Sequence, residues 1–140
     1  MDLKTVWTAT QVAATAFGGW IVWLLGGCDG LLYALAALVA IDYITGVLCA
    51  ISERKLSSEI GMRGIIKKVS VFLLVGVAHI VDGVIGSSGV LRSATLMFFI
   101  SNEGISLLEN VARIGVPIPP KLKDVLAQLR QRDEDGCDAK

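Results

Sequence analysis

The sequence has few charged side chains, and their distribution is uneven. Asp, Glu, Lys and Arg make up only 19% of the 140 residues, below the soluble average of about 25%. Thr5–Cys28 has no charge, Gly30–Ser52 has only Asp42, and Val69–Leu91 has only Asp82. Each run exceeds the roughly 18 residues that mark a candidate transmembrane helix. With 54% hydrophobic residues, the sequence predicts an all-α integral membrane protein.

Other absences exclude several kinds of chemistry. The 13 basic and 13 acidic residues cancel, so net charge gives no indication of a nucleic-acid partner. The three cysteines form no CxxC pair, which argues against a disulfide framework and a zinc site. The single histidine lies in an apolar run, and neither a nucleophile–base pattern nor a phosphate loop is visible. We therefore expect no enzyme activity, catalytic residue, metal or cofactor.

The apolar runs predict four transmembrane helices, with three as the alternative. The spans are expected at about 6–25, 31–51, 69–85 and 91–114. Lys and Arg concentrate at 53–68 and 121–140, and such residues mark the cytoplasmic side. Four spans place both of these segments and both termini in the cytoplasm. Residues 1–120 would then form the transmembrane domain, and 121–140 a charged cytoplasmic tail that begins with a short amphipathic segment.

The glycine-rich connection after the first span has two readings. Leu24–Cys28 reads LLGGC, which resembles a bacterial lipoprotein cleavage box. The apolar run before it is longer than the roughly 7–15 residues of a signal-peptide core. A tight turn between two spans is therefore the favoured interpretation.

The fourth apolar segment carries an unusual set of polar residues. On a helix with 100° per residue they fall on one stripe about 120° wide. The residues of this stripe, called the α4 stripe below, are Asn102, Glu103, Ser106, Glu109, Asn110 and Arg113. The helix could lie flat on the membrane, span it with the stripe buried against other helices, or span it and line water.

Two further acids lie inside apolar runs. A carboxylate at the centre of a membrane helix costs roughly 2.5–3.5 kcal/mol on insertion scales, so it usually faces a bundle interior or a cavity. Asp42 shares a helical face with Gly46 and Ala50, which suits close helix contact. Asp82 and His79 lie among glycines in the third run. For both acids a packing role and a functional role remain open, and a packing role is favoured for His79.

Four sequence elements, in this order, resemble the phage-lysis and toxin-secretion holin family of Gram-positive bacteria and their phages. They are an intramembrane Asp followed by TG, a serine-containing loop that ends in GxxKK, a late Asp in the next span, and ExxSxxENxxxxGxPxP. The residues concerned are Asp42, Thr45, Gly46, Gly64, Lys67, Lys68, Asp82, Glu103, Ser106, Glu109, Asn110, Gly115, Pro117 and Pro119. The similarity covers about 42–122.

The resemblance implies a protein of the bacterial cytoplasmic membrane that forms homo-oligomers and lesions in the lipid bilayer. Those lesions would release an endolysin, which leads to host cell lysis, or a toxin. On this reading the candidate residues at a pore or subunit interface are Asp42, Gly46, His79, Asp82, Asn102, Glu103, Ser106, Glu109 and Asn110. The alternatives are a non-pore scaffold of a membrane complex and a small multidrug-type transporter, although the first span lacks the acid that the transporter class needs.

Overall fold

The computed structural model describes residues 2–121 and 124, and over them the chain forms four α-helices and no strand. The helices are α1 (Leu3–Leu24), α2 (Gly30–Ser52), α3 (Ser58–Ile85) and α4 (Val90–Ile114). The predicted all-α class is confirmed. The amphipathic segment and tail expected from 121 onward lie outside the described residues, apart from Lys121 and Asp124.

Side-chain caps and glycines set the ends of these helices. The Asp29 carboxylate accepts a hydrogen bond from the backbone N–H of Leu32 at 2.9 Å and starts α2. Gly86 ends α3 with a φ of 72°, in the left-handed region that glycine adopts without strain. Gly26 and Gly27 have φ angles of 81° and 96°, as expected for the predicted turn between the first two helices.

The third helix begins well before its apolar run. The segment 53–68 was predicted as a basic connection, but α3 starts at Ser58 and runs through Lys68. The Ser57 hydroxyl accepts a hydrogen bond from the backbone N–H of Ile60 at 3.2 Å, and Glu59 lies in the first turn. Both features stabilise a helix N-terminus. The prediction was wrong here because it followed hydropathy and gave no weight to these cap residues.

Helices α2, α3 and α4 form a bundle in which α4 packs along both of the others. The buried core consists of Leu25, Leu32, Leu35, Val39, Val71, Val75 and Leu96. Apolar side chains from three helices therefore meet in one layer between the helix axes, and this layer fixes which α4 residues face inward.

Helix α1 stands apart from this bundle. No residue of α1 is buried, and its tryptophans Trp7, Trp20 and Trp23 are exposed. Only its C-terminal end touches α3, where a Cβ on Gly76 would lie 3.4 Å from Leu24. Most of the α1 surface is thus available for contact with lipid or protein.

Two of the four helices, Gly30–Ser52 and Ser58–Ile85, are long and apolar enough to cross a membrane. The mean hydropathy of α1 is lowered by its threonines, its glycines and Gln11, and that of α4 by its polar stripe. Four helices are observed in the described residues, but four transmembrane spans are not confirmed.

Candidate functional site

A cluster of charged and polar side chains joins the three bundled helices halfway along their length. Lys68 of α3 donates hydrogen bonds to Asp42 of α2, at 2.6 Å, and to Glu103 of α4. The Asn110 amide of α4 donates to the other carboxylate oxygen of Asp42 at 3.0 Å. We call these four residues the central cluster. It ties each helix of the bundle to both of the others.

The central cluster is shielded from solvent. The side chains of Lys68, Asp42 and Glu103 are only 16%, 8% and 11% exposed. By contrast, the Arg63–Glu59 pair on the surface of α3 is 75% and 77% exposed. Exposed pairs contribute about 0–1 kcal/mol, whereas removing one partner of a buried pair costs about 3–5 kcal/mol. The central cluster is therefore a polar contact on which the packing of these helices depends.

Small residues let the helices approach closely around this cluster. A Cβ on Gly46 would lie 3.5 Å from the Asn110 amide nitrogen, so α4 passes directly over this part of α2. On the other side of α2, a Cβ on Gly64 would lie 3.5 Å from the Tyr43 ring. The expectation that Gly46 lies on a helix-packing face agrees with this geometry.

A crevice of about 160 Å³ leads to the cluster between α2 and the early turns of α3. Asp42 and Lys68 lie at its polar end, and its walls include Tyr43, Leu56 and Gly61. The buried charges are thus connected to the surface at the end of the bundle where α2 ends and α3 begins.

The α4 stripe is divided between the interior and the surface of the bundle. Glu103 and Asn110, at one edge of the stripe, point into the central cluster. At its other edge Asn102 and Arg113 are exposed, and Ser106 and Glu109 are half-buried. We call Asn102, Ser106, Glu109 and Arg113 the outer edge. It is a polar strip on the bundle surface.

The outer edge does not contain the ion pair that its spacing allows. Glu109 and Arg113 are four residues apart, yet no salt bridge between them is among those found in residues 2–121. Lys55, and to a smaller extent the charge of Arg113, holds the pKa of the exposed Glu53 below its ordinary value. Arg113 therefore lies towards the C-terminal end of α2.

Asp82 acts at the far end of the bundle, away from the central cluster. Its carboxylate accepts hydrogen bonds from the backbone N–H groups of Leu91 at 3.0 Å and Arg92 at 2.8 Å, and from the Ser87 hydroxyl. These N–H groups open α4 and have no partner within that helix. Asp82 therefore caps α4 from the end of α3, which is the packing role left open for it above.

The buried Arg92 connects this cap to the first two helices. Its guanidinium donates to the carbonyl oxygens of Leu25 at 2.5 Å and Gly27 at 3.0 Å, and to the Asp29 carboxylate at 2.5 Å. The hydrogen bond from Arg92, followed by that from Leu32, holds the pKa of Asp29 below its ordinary value. We call Asp29, Asp82, Ser87 and Arg92 the end cluster. It is the main polar attachment of α1 to the bundle.

His79 borders the end cluster. A Cβ on Gly26 would lie 2.6 Å from His79 Nδ1 and 2.7 Å from Arg92 Nε, so the turn after α1 is pressed against both side chains. Among the residues that the structure describes, no group of three or more His, Cys, Asp or Glu side chains could hold a metal ion. The close contact with Gly26 is consistent with a packing role for His79.

The predicted residues thus fall into three places. Asp42, Gly46, Glu103 and Asn110 meet at the centre of the bundle, Asp82 and His79 meet at its end, and Asn102, Ser106 and Glu109 lie on or near its surface. Sequence reasoning missed Lys68 and Arg92. Lys68 was named only as part of the loop that ends in GxxKK, and Arg92 was not singled out. An isolated Arg at the start of an apolar run could have indicated a buried, paired side chain. The residues next to Lys68 in sequence gave no such indication.

Comparison with known proteins assigns this chain to a family. The model of a bacteriophage holin family matches residues 19–131, which include α2, α3, α4 and both clusters. A probable holin of Bacillus phage phi105 is 42% identical over 92 residues, or 66% of this chain and 68% of the relative. No solved structure matches the chain significantly.

Other relatives come from Gram-positive bacteria. Protein Lin0175 of Listeria innocua is 35% identical over 116 residues, which cover 83% of each chain. A 14.9 kDa protein of Clostridium perfringens, from the nagH 3′ region, is 39% identical over 118 residues, or 84% of this chain and 89% of its own length.

Proposed function

Because the chain belongs to the bacteriophage holin family, we propose that it is a holin, which oligomerises in the bacterial cytoplasmic membrane and forms lesions there. An endolysin or a toxin would leave the cell through these lesions. The observation that carries the proposal is the family match over 19–131, which includes every charged residue of both clusters. Such a role needs a pore and no catalytic residue.

The helix ends support a consistent placement in the membrane. Gly30, Ile85 and Val90 lie at the same end of the bundle, because the end cluster joins them. From that end the central cluster is 12 residues along α2, or about 18 Å at 1.5 Å per residue. A hydrocarbon core of about 30 Å would hold the cluster well inside the bilayer. The loop around Arg54 and Lys55 would then lie on the cytoplasmic side, together with both termini.

The two edges of the α4 stripe would have different roles. The inner residues Glu103 and Asn110 are already bonded within one chain, so they hold the bundle together. The outer edge has polar groups on the bundle surface, where contact with lipid chains is unfavourable. Contact with another copy of the chain, or with water in a lesion, would satisfy those groups. Asn102, Ser106 and Glu109 are therefore the proposed subunit-interface or lumen residues.

A paired substitution tests this division. Glu109→Leu should change the time of lysis after induction at equal protein level, because the outer edge loses its acid while the bundle keeps its contacts. Glu59→Leu, on the exposed start of α3, is the matched control and should leave the time unchanged. Glu103→Leu should instead lower the protein level, since Lys68 loses a buried partner. Identical lysis times for the Glu109→Leu protein and the wild type would refute the assignment of the outer edge.

Release from vesicles tests the lesion itself. The purified chain would be added to phospholipid vesicles that contain a small dye and a fluorescent protein of endolysin size. A holin that passes proteins releases both cargoes. Release of the dye alone would indicate a small ion-conducting pore, and retention of both would favour a scaffold role, for which the exposed α1 surface is also suited.

A further inference from the structure

Helix α1 has a narrow polar stripe that residues 2–121 leave uncovered. On a helix with 100° per residue, Lys4, Thr8, Gln11 and Thr15 fall within about 60° of one another. We call these four residues the α1 stripe. Every residue from Asp2 to Trp20 is exposed. In a membrane the Gln11 amide would face lipid chains, where a polar group without a hydrogen bond is unfavourable.

The α1 stripe is directed away from the bundle. Ile21 packs against the buried core, and Leu24 lies against Gly76 of α3, so these two residues mark the side of α1 that faces the bundle. Thr8 and Thr15 lie about 120° or more around the helix from both of them. Another molecule can therefore reach the α1 stripe without disturbing the contacts of α1 with α3.

The outer edge of α4 has the same residue spacing as the α1 stripe. The members of both sets follow one another at intervals of four, three and four residues. Helices α1 and α4 run in opposite directions, because Arg92 near the start of α4 donates to the carbonyl oxygen of Leu25 just after the end of α1. Since the spacing is the same when read in either direction, the two sets match in an antiparallel helix pair.

The two helices also place matching side chains at matching depths. Depth is measured here at 1.5 Å per residue, from Leu24 at the end of α1 and from Val90 at the start of α4. Three pairs result: Gln11 and Asn102 at about 20 and 18 Å, Thr8 and Ser106 at about 24 Å, and Lys4 and Glu109 at about 30 and 29 Å. The first two pairs can exchange hydrogen bonds, and the third brings opposite charges together.

Contact between two copies of the same helix is less favourable. Chains in one membrane share an orientation, so a two-fold axis along the membrane normal sets each residue beside its own copy at the same depth. An α4–α4 contact would place Glu109 beside a second Glu109, and an α1–α1 contact would place Lys4 beside a second Lys4. Like charges in an interface repel, whereas α1 against α4 opposes Lys4 with Glu109.

We propose that the α1 stripe of one chain binds the outer edge of α4 in a second copy of the chain. The inference rests on the proposed function, because it names the contact through which a holin would oligomerise. It assigns the outer edge to a subunit interface and not to a lumen. Each chain has both surfaces and binds one neighbour through each, so the contact is heterologous and builds rings or open chains.

Disulfide formation between two differently tagged copies tests this contact. One copy has Gln11→Cys and the other has Asn102→Cys, each in a full chain whose three natural cysteines are replaced by alanine. Oxidation in bacterial membranes should give a dimer that contains both tags. Dimers that form only between copies with the same tag would overturn the proposal, because they would indicate α1–α1 or α4–α4 contact.

A cysteine on α2 provides the matched control. Ile44 is 58% exposed and lies 14 residues along α2, or about 21 Å from its start. The copy with Ile44→Cys should give little mixed dimer with the Gln11→Cys copy, because its position has a similar depth but lies on another helix. Equal yields with Ile44→Cys and Asn102→Cys would overturn the proposal.

A charge reversal makes the test independent of the folding of one variant. Lys4→Glu in the copy with Gln11→Cys should lower the yield of mixed dimer about two- to fivefold, which is the change that one partly exposed ion pair supports. Adding Glu109→Lys to the other copy should restore the yield. Poor folding or insertion of the first copy would not respond to a change in the second, so a yield that stays low would overturn the proposal.

The disulfide reports contact between copies, whereas culture lysis with an endolysin reports lesions. Mixed dimers without lysis would contradict the holin function and support the interface. Lysis without mixed dimers would overturn the interface and leave the holin function intact.

Discussion

The substitution Lys68→Met tests whether the central cluster holds the bundle together. It removes the only ammonium group within residues 2–121 that contacts Asp42 and Glu103, and it leaves both acids buried. Removing one partner from a buried ion pair costs about 3–5 kcal/mol. We therefore expect the free energy of unfolding to fall by about 3 kcal/mol or more, since the side chains involved are at most 16% exposed.

The neighbouring lysine provides the matched control. Lys67 is exposed on the same turn of α3, so Lys67→Met should change the stability by no more than about 0.5 kcal/mol. The assay is reversible unfolding of the purified protein in mixed micelles, followed by helical circular dichroism. Adding Asp42→Asn and Glu103→Gln to Lys68→Met removes every charge of the central cluster and should restore most of the lost stability. Equal stability of the Lys68→Met and Lys67→Met proteins would refute the reasoning.

Three further predictions concern the end cluster. Arg92→Met should loosen α1 and make the turn after it accessible to protease, whereas Arg92→Lys should restore the protection only partly, because lysine cannot match the forked hydrogen bonds. Gly26→Ala should lower the thermal unfolding temperature more than Gly27→Ala does. A Cβ at position 26 would lie within 2.7 Å of His79 and Arg92, whereas a Cβ at position 27 would meet nothing within 4 Å. Hydrogen bonds lower the pKa of Asp29, so its ion pair with Arg92 stabilises the fold above pH about 4. This stabilisation is lost as the pH falls through the folded-state pKa of Asp29. Asp29→Asn should remove that part of the acid dependence, and an unchanged pH profile of unfolding would contradict the prediction.

The sequence predicted the helices better than it predicted their contacts. Hydropathy located α1, α2 and α4 to within three residues at each end, because their boundaries coincide with glycines, charges or prolines. It also placed Glu103 and Asn110 on one helical stripe, which the structure divides between interior and surface. That division depends on the position of α2, and a single-helix projection contains no such information.

Lys68 shows most clearly what local reasoning misses. Its neighbours in sequence are basic, which favours a cytoplasmic loop, yet its partners lie 26 and 35 residues away. A lysine inside a bundle becomes interpretable only when the acids that oppose it are known. Asp42 was identified as an intramembrane acid that should face a bundle interior or a cavity, and in the structure its charged partner is Lys68, from the segment expected as a loop.

The central claim is that the chain is a holin, and expression in a bacterium tests it most directly. The chain would be induced alone, together with a cytoplasmic endolysin, and beside an endolysin-only control, while culture density is followed. The account predicts an abrupt fall in density only when both proteins are present. Continued growth with both proteins present, and with this chain detected in the membrane fraction, would contradict it.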